Sequence, residues 1–175
     1  MSQDAVAPLL VLAVGNPSRG DDALGPALLD ALAALAAQGA DRLGDIELLS
    51  DFQLQIEHAL DLQGRRAVLF VDAARPGVVA AAGGVALTPL VPAAALPALS
   101  HALTPCAVLQ VAQLVGGPVP PAWQLAIEGL DFGLGEPISS TARARLASAL
   151  ALVRGWIAAR RGEAAATHAA GAAHA

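Results

Sequence analysis

The chain has 175 residues, a formal net charge of −5 and a pI near 5.2, a length that suits one domain able to bury a full core without staples. Its mean hydropathy of +0.57 comes largely from alanine, and charge, proline or glycine breaks every apolar run short of the roughly 18 residues a membrane span needs. The ten basic residues are all arginine, scattered apart from Arg65/Arg66 and Arg160/Arg161, which leaves no basic footprint for a nucleic acid.

The opening "MSQDAVAP" is acidic where a secretory signal is basic, and its apolar stretch leads into a turn and not a small-residue cleavage site. The expectation is a soluble, cytoplasmic protein. Residues 8–14, "PLLVLAV", form a continuous apolar run closed by Gly15, Asn16 and Pro17, the pattern of a central strand buried on both faces. After "RGDD", apolar residues at Leu24, Ala27, Leu28, Ala31, Leu32 and Leu35 keep the spacing of a helix that covers a sheet. Residues 45–50 form a second short strand. Residues 52–64, "FQLQIEHALDLQG", read as a helix with Leu54, Ala59 and Leu62 inward and Gly64 as the stop. Residues 66–74, "RAVLFVDAA", are the most strand-like segment of the chain, with Asp72 near the carboxyl end.

From residue 75 to 99 the pattern loosens into a Pro/Gly-rich excursion that holds one edge strand near 85–88. Order returns with Thr104 as N-cap, Pro105 at the first helical position and Gly116-Gly117 as the stop, so His101 lies just ahead of a helix. Residues 122–131 form the last strand. A closing helix runs from Thr141 to about Arg161, with Leu146, Ala149, Leu150, Val153 and Ile157 in phase. One domain thus spans 1–161, and the small-residue tail 162–175 is expected to be disordered.

Strands alternating with helices imply an α/β three-layer sandwich, with a mainly parallel twisted sheet of about five strands. In such sheets ligands bind beyond the carboxyl ends of the strands. Asp21 and Asp22 follow the first strand, Asp51 follows the second, Asp72 ends the third and His101 precedes the next helix, so acids and an imidazole converge on one edge.

The glycine turn "GNPSRGDD" has neither a dinucleotide-binding spacing nor a Walker lysine, and its two aspartates would repel a phosphate. Asp21 reads as an N-cap or first-turn residue favoured by the helix dipole, and Asp22 as a carboxylate open to a cation. Asp72, where a buried run stops, is either a cap or a paired or metal-bound acid. His101 alone has a capping or surface role as its ordinary reading. Together Asp22, Asp72 and His101 offer two carboxylates and an imidazole, a set suited to a borderline divalent ion such as nickel or zinc with positions left open. The lone Cys106 excludes an internal disulfide and a cysteine metal cage, and reads as a structural thiol in the apolar phase of its helix. Ser18 and Ser100 lack a nucleophile elbow. His58 reads as a surface or half-buried residue. Gln53 and Glu57, four apart, share a helix face that either lines the site or faces solvent, and Glu128 and Asp131 either approach the cleft or serve the turn at Gly129.

In "LAVGNPSRGDDALGP", "AVLFVDAA" and "LSHALTP" the chain resembles the nickel-iron hydrogenase maturation endopeptidases, over about residues 9–153. The resemblance implies that Asp22, Asp72 and His101 are both the metal ligands and the catalytic residues, with aspartate standing at a position often held by glutamate. The family's glycine-rich stretch after the second strand is replaced here by "SDFQLQIEHALDL", which looks like the subgroup serving soluble NAD-reducing hydrogenases; Asp51, Gln53 and Glu57 would then line the substrate cleft. The implied activity is removal of a C-terminal extension from the hydrogenase large-subunit precursor after nickel insertion, by a monomer that binds the precursor's nickel transiently as a recognition signal. A nickel-checking chaperone that binds the precursor without cutting it would use the same ligands.

Overall fold

The structure, a computed structural model, describes residues 6–39, 43–81, 83–94 and 103–172, with side chains described as far as residue 164. A five-stranded sheet is built from β1 (Leu9–Val14), β2 (Ile46–Asp51), β3 (Ala67–Ala74), β4 (Val85–Leu90) and β5 (Ala122–Glu128). Its order is β2-β1-β3-β5-β4. All neighbours are parallel except β4, which runs antiparallel to β5 at one edge. Between strands lie a 3-10 turn (Gly20–Ala23) and the helices α1 (Leu24–Ala37), α2 (His58–Asp61) and α3 (Pro105–Leu114), and α4 (Ser140–Ala172) follows β5. No described helix is long and apolar enough to cross a membrane.

The period-two alternation of side chains divides the core. Leu9, Val11, Leu69, Val71, Leu125 and Ile127 pack under α1 and α4, while Leu10, Leu12, Val68 and Phe70 pack under α2 and α3 with Leu62, Val108 and Leu109. Every residue of β1 is buried, as a strand covered on both faces requires. Each fully buried leucine there contributes roughly 2 kcal/mol of transfer free energy. Leu54, Ala59 and Leu62 point inward as the sequence predicts, and Thr104 caps α3 by accepting from the Ala107 N–H at 3.2 Å, with Pro105 in the first turn.

Three elements differ from the sequence reading. The helix expected over 52–64 shrinks to the single turn of α2. Asp51 Oδ1 accepts from Phe52 N at 2.5 Å and His58 Nδ1 accepts from Gln55 N at 2.8 Å, so local side-chain acceptors take amides that a helical ladder would need. Gln53 and Glu57 therefore share no helix face. The last strand ends at Glu128, because the amides of Leu130 and Asp131 turn away to Asp21. At the other end α4 runs past Arg161 to Ala172, consistent with the high helix propensity of its alanine-rich sequence.

Candidate active site

The carboxyl ends of β1 and β3 bring Asp22 and Asp72 together. Gly15 leaves β1 at φ +145°, and a Cβ added there would lie 2.0 Å from the Asp22 carbonyl oxygen. Only glycine lets the chain fold back this closely. Asn16 then donates its backbone N–H to Asp22 Oδ2 at 2.9 Å, and Asp22 N donates to the Arg19 carbonyl at 3.0 Å, which fixes the half-buried Asp22 in the 3-10 turn. Asp72 shares the sheet face of Val68 and Phe70 near the end of β3. Burial pushes its carboxyl up to about 6, the Ala73 N–H pulls it partly back, and the negative charge of Asp22 raises it again. Among the described residues no side chain donates a hydrogen bond to it.

Asp21, one residue earlier, has no exposed surface. It is not a helix cap. Its carboxylate accepts from Leu130 N at 2.7 Å, Asp131 N at 3.0 Å, Ser139 N at 2.6 Å and Ser139 Oγ at 2.8 Å. Burial opposes its charge, but these donors outweigh it and hold the carboxyl below its usual range. Asp21 thereby ties the turn that carries Asp22 to the loop between β5 and α4. Asp21 does lie in the first turn of the 3-10 segment that runs into α1, as the sequence reading has it, but its carboxylate serves this distant loop.

His101 lies outside the described residues. Among the described residues no group of three or more His, Cys, Asp and Glu is placed to hold a metal ion, so the structure brings together the two carboxylates of the proposed set. Asp51 ends β2 next to the close of β1 and accepts the Gly15 N–H through its carbonyl at 3.1 Å. With Gly15, Pro17, Ser50 and Phe52 it lines a hollow of about 190 Å³. Gln53 and Glu57 are exposed and do not line it. His58 is buried, against the surface or half-buried position expected of it, with Nε2 3.4 Å from Asp51 Oδ2. Because Nδ1 accepts an amide, the neutral ring carries its proton on Nε2, facing Asp51. Glu128 and Asp131 serve the fold: Glu128 pairs with Arg145, and Asp131 Oδ1 accepts from Gly133 N at 2.9 Å.

The sequence reading missed a groove of about 620 Å³ that opens beside Asp72. Its floor is the sheet face of Ala86, Thr88, Gln124 and Ala126, and Val78 and Ala81 belong to its wall. The signal was present in part, since a long excursion after a strand that ends in an acid often borders a site. The register that sets Thr88 opposite Gln124 was not legible before the antiparallel pairing was known.

No family model matches the chain, and no curated protein matches its sequence. Solved structures do match. The hydrogenase maturating endopeptidase HybD of E. coli aligns over 89% of this chain and 93% of its own, at 22% identity and a TM-score of 0.65. The nickel-iron hydrogenase maturation protease HycI of Thermococcus kodakarensis aligns over 84% and 90%, at 19% identity and a TM-score of 0.60. This chain has the fold of the hydrogenase maturation proteases. An endopeptidase of Escherichia coli, at 18% identity and a TM-score of 0.62 over 83% of this chain and 88% of its own, shares it too. The maturation-protease fold accounts for the parallel sheet, whose strand ends carry Asp22 and Asp72.

Proposed function

We propose that the protein is an endopeptidase of nickel-iron hydrogenase maturation, which removes the C-terminal extension of the large-subunit precursor once nickel has been inserted. The observation that supports this most is the pair Asp22 and Asp72. A half-buried carboxyl whose charge is opposed by burial and by a second carboxylate gains most from a divalent cation between the two. That pair stands at the strand ends of a fold otherwise seen in proteins named as hydrogenase maturation endopeptidases.

In this reading Asp22, Asp72 and His101 grip nickel that arrives with the precursor, so the ion is part of the substrate. Two carboxylate oxygens and an imidazole nitrogen suit nickel, and both acids must be ionised to bind it. Capture of the ion orients the neighbouring peptide bond. Water is the attacking group, activated by polarisation on the ion or by one of the two acids, Asp22 or Asp72, as general base. Asp51, with His58 behind it, lines the hollow beside Gly15 and in this reading contacts the precursor there, joined by Gln53 and Glu57 on the exposed turn. The protein acts as a monomer, and the lone thiol fits a reducing cytoplasm.

The test is the mass of a purified large-subunit precursor, with and without nickel, after incubation with wild type, Asp72→Asn or His101→Ala. Loss of a C-terminal peptide with nickel and wild type alone is the expected result. Nickel-dependent binding without a change in mass would replace the protease by a nickel-checking chaperone, and neither effect would remove the reading altogether.

A further inference from the structure

The groove beside Asp72 has a floor of regular strand but a wall, residues 78–81, without helix or strand of its own. Both ends of the loop containing that wall are tied to one residue. Glu128 Oε2 accepts from Gly77 N at 2.7 Å, and Glu128 N donates to the Gly84 carbonyl at 2.8 Å. Arg145, reaching over from α4, fixes the glutamate: its Nη2 meets Glu128 Oε1 at 2.9 Å and its Nη1 donates to the Glu128 carbonyl at 2.7 Å. Both side chains are largely buried, at 18% and 12% exposure, so the pair is screened less than a surface ion pair. The guanidinium packs where a Cβ on Gly84 would sit, 2.4 Å from Nε. The clasp is thus two-sided, and the negative charge of Glu128 is matched before it reaches the groove.

The groove itself is apolar apart from Asp72 at one end and Thr88 and Gln124, which stand opposite each other in the β4–β5 register. Small side chains with two uncharged hydrogen-bonding groups between them suit an extended peptide of uncharged residues, whose backbone Thr88 and Gln124 can meet. A second carboxylate wall would have repelled an acidic segment; the paired Glu128 does not.

We infer that Glu128, held by Arg145, is a positioning residue that sets the 78–81 wall so that the groove beside Asp72 grips the substrate peptide next to the bond that is cut. The inference rests on the endopeptidase reading. Glu128 touches neither the reacting atoms nor the ion, so its loss weakens the hold on the peptide and spares the chemical step.

Steady-state kinetics on the nickel-loaded precursor test this with Glu128→Leu, Glu128→Gln and Ala126→Leu. Loss of the acceptor for Gly77 in Glu128→Leu should raise KM about five- to tenfold and change kcat by less than twofold. Glu128→Gln keeps an acceptor for the Gly77 amide and should restore most of the affinity. Ala126→Leu fills the floor without touching the clasp; it should raise KM, with any fall in kcat arising from its register partner Asp72, and serves if the Glu128 variants fail to fold. An unchanged KM in both Glu128→Leu and Ala126→Leu while wild type cuts the precursor would overturn the inference alone. So would equal losses in the Leu and Gln variants that follow their thermal midpoints. A wild type that cuts nothing would overturn the endopeptidase reading, and the inference with it.

Discussion

Replacing Asp72 by asparagine should stabilise the metal-free protein, and only at pH values where the aspartate is charged. The carboxyl moves from its ordinary 3.8 to about 6 on folding. The folded state therefore prefers the protonated acid, and the ionised form carries a cost of ~3 kcal/mol. Below pH 4 the acid is protonated in both states and the cost is absent. It grows between pH 4 and 6 and is complete above 6, so wild type loses stability across that window while Asp72→Asn does not. At ~3 kcal/mol, and about 2–4 °C per kcal/mol for a domain of this size, the variant should melt roughly 6–12 °C above wild type at pH 8 and level with it at pH 4. The assay is thermal unfolding in a chelating buffer at both pH values, with the Asp72 carboxyl titration followed by NMR. Asp22→Asn removes the neighbouring charge that adds to burial in raising Asp72 and should move that titration downward. A gain of equal size at pH 4 and pH 8, or no gain at pH 8, would refute the assignment of Asp72 as a charge held against its surroundings. Because Asp72 must be ionised to bind nickel, processing should also fall as the pH drops through 6.

Asp21→Ala should cost about 2–3 kcal/mol, since it removes a buried carboxylate from the part-buried donors of Leu130, Asp131 and Ser139 at once; chemical denaturation measures this, and a loss under 1 kcal/mol would mean that water or a rearranged loop replaces the carboxylate. The depressed Asp21 carboxyl adds stability that is present above its unfolded value and is lost as the pH falls through its folded one. Gly15→Ala should lower stability by roughly 2–4 kcal/mol through its positive φ and its collision with the Asp22 carbonyl. It should also abolish processing in whatever fraction stays folded; full processing by a folded Gly15→Ala protein would show that the placement of Asp22 is not needed.

The sheet was legible because its strands are short apolar runs with clear stops: β1 at Gly15, β3 just beyond Asp72, and α3 from Thr104 and Pro105. The failures share a cause. In residues 52–57 the apolar spacing is helical, but Asp51 and His58 accept local amides, and such competition leaves no periodic trace. The same blindness hid His58, whose buried place depends on the turn it helps to make. Asp21 and Asp22 were told apart by sequence, yet the reason given for Asp21 was local, whereas its partners lie more than a hundred positions away. The excursion that borders the groove was visible, but not the groove's shape, because its wall is held by one glutamate that meets Gly77 across the sheet edge.

The adjacency of Asp21 and Asp22 makes two identical side chains depend for their difference on the phase of a single turn. Deleting one residue between Gly15 and Asp21 would carry Asp22 into the anchoring place and leave Ala23 facing Asp72, and inserting one would carry Asp21 to the site and leave the β5–α4 loop without its anchor. Chain length before the pair is therefore as constrained as the pair itself: a lineage could exchange Asp22 for another oxygen donor and keep a working site, whereas a change in loop length would disturb the anchor and the site together.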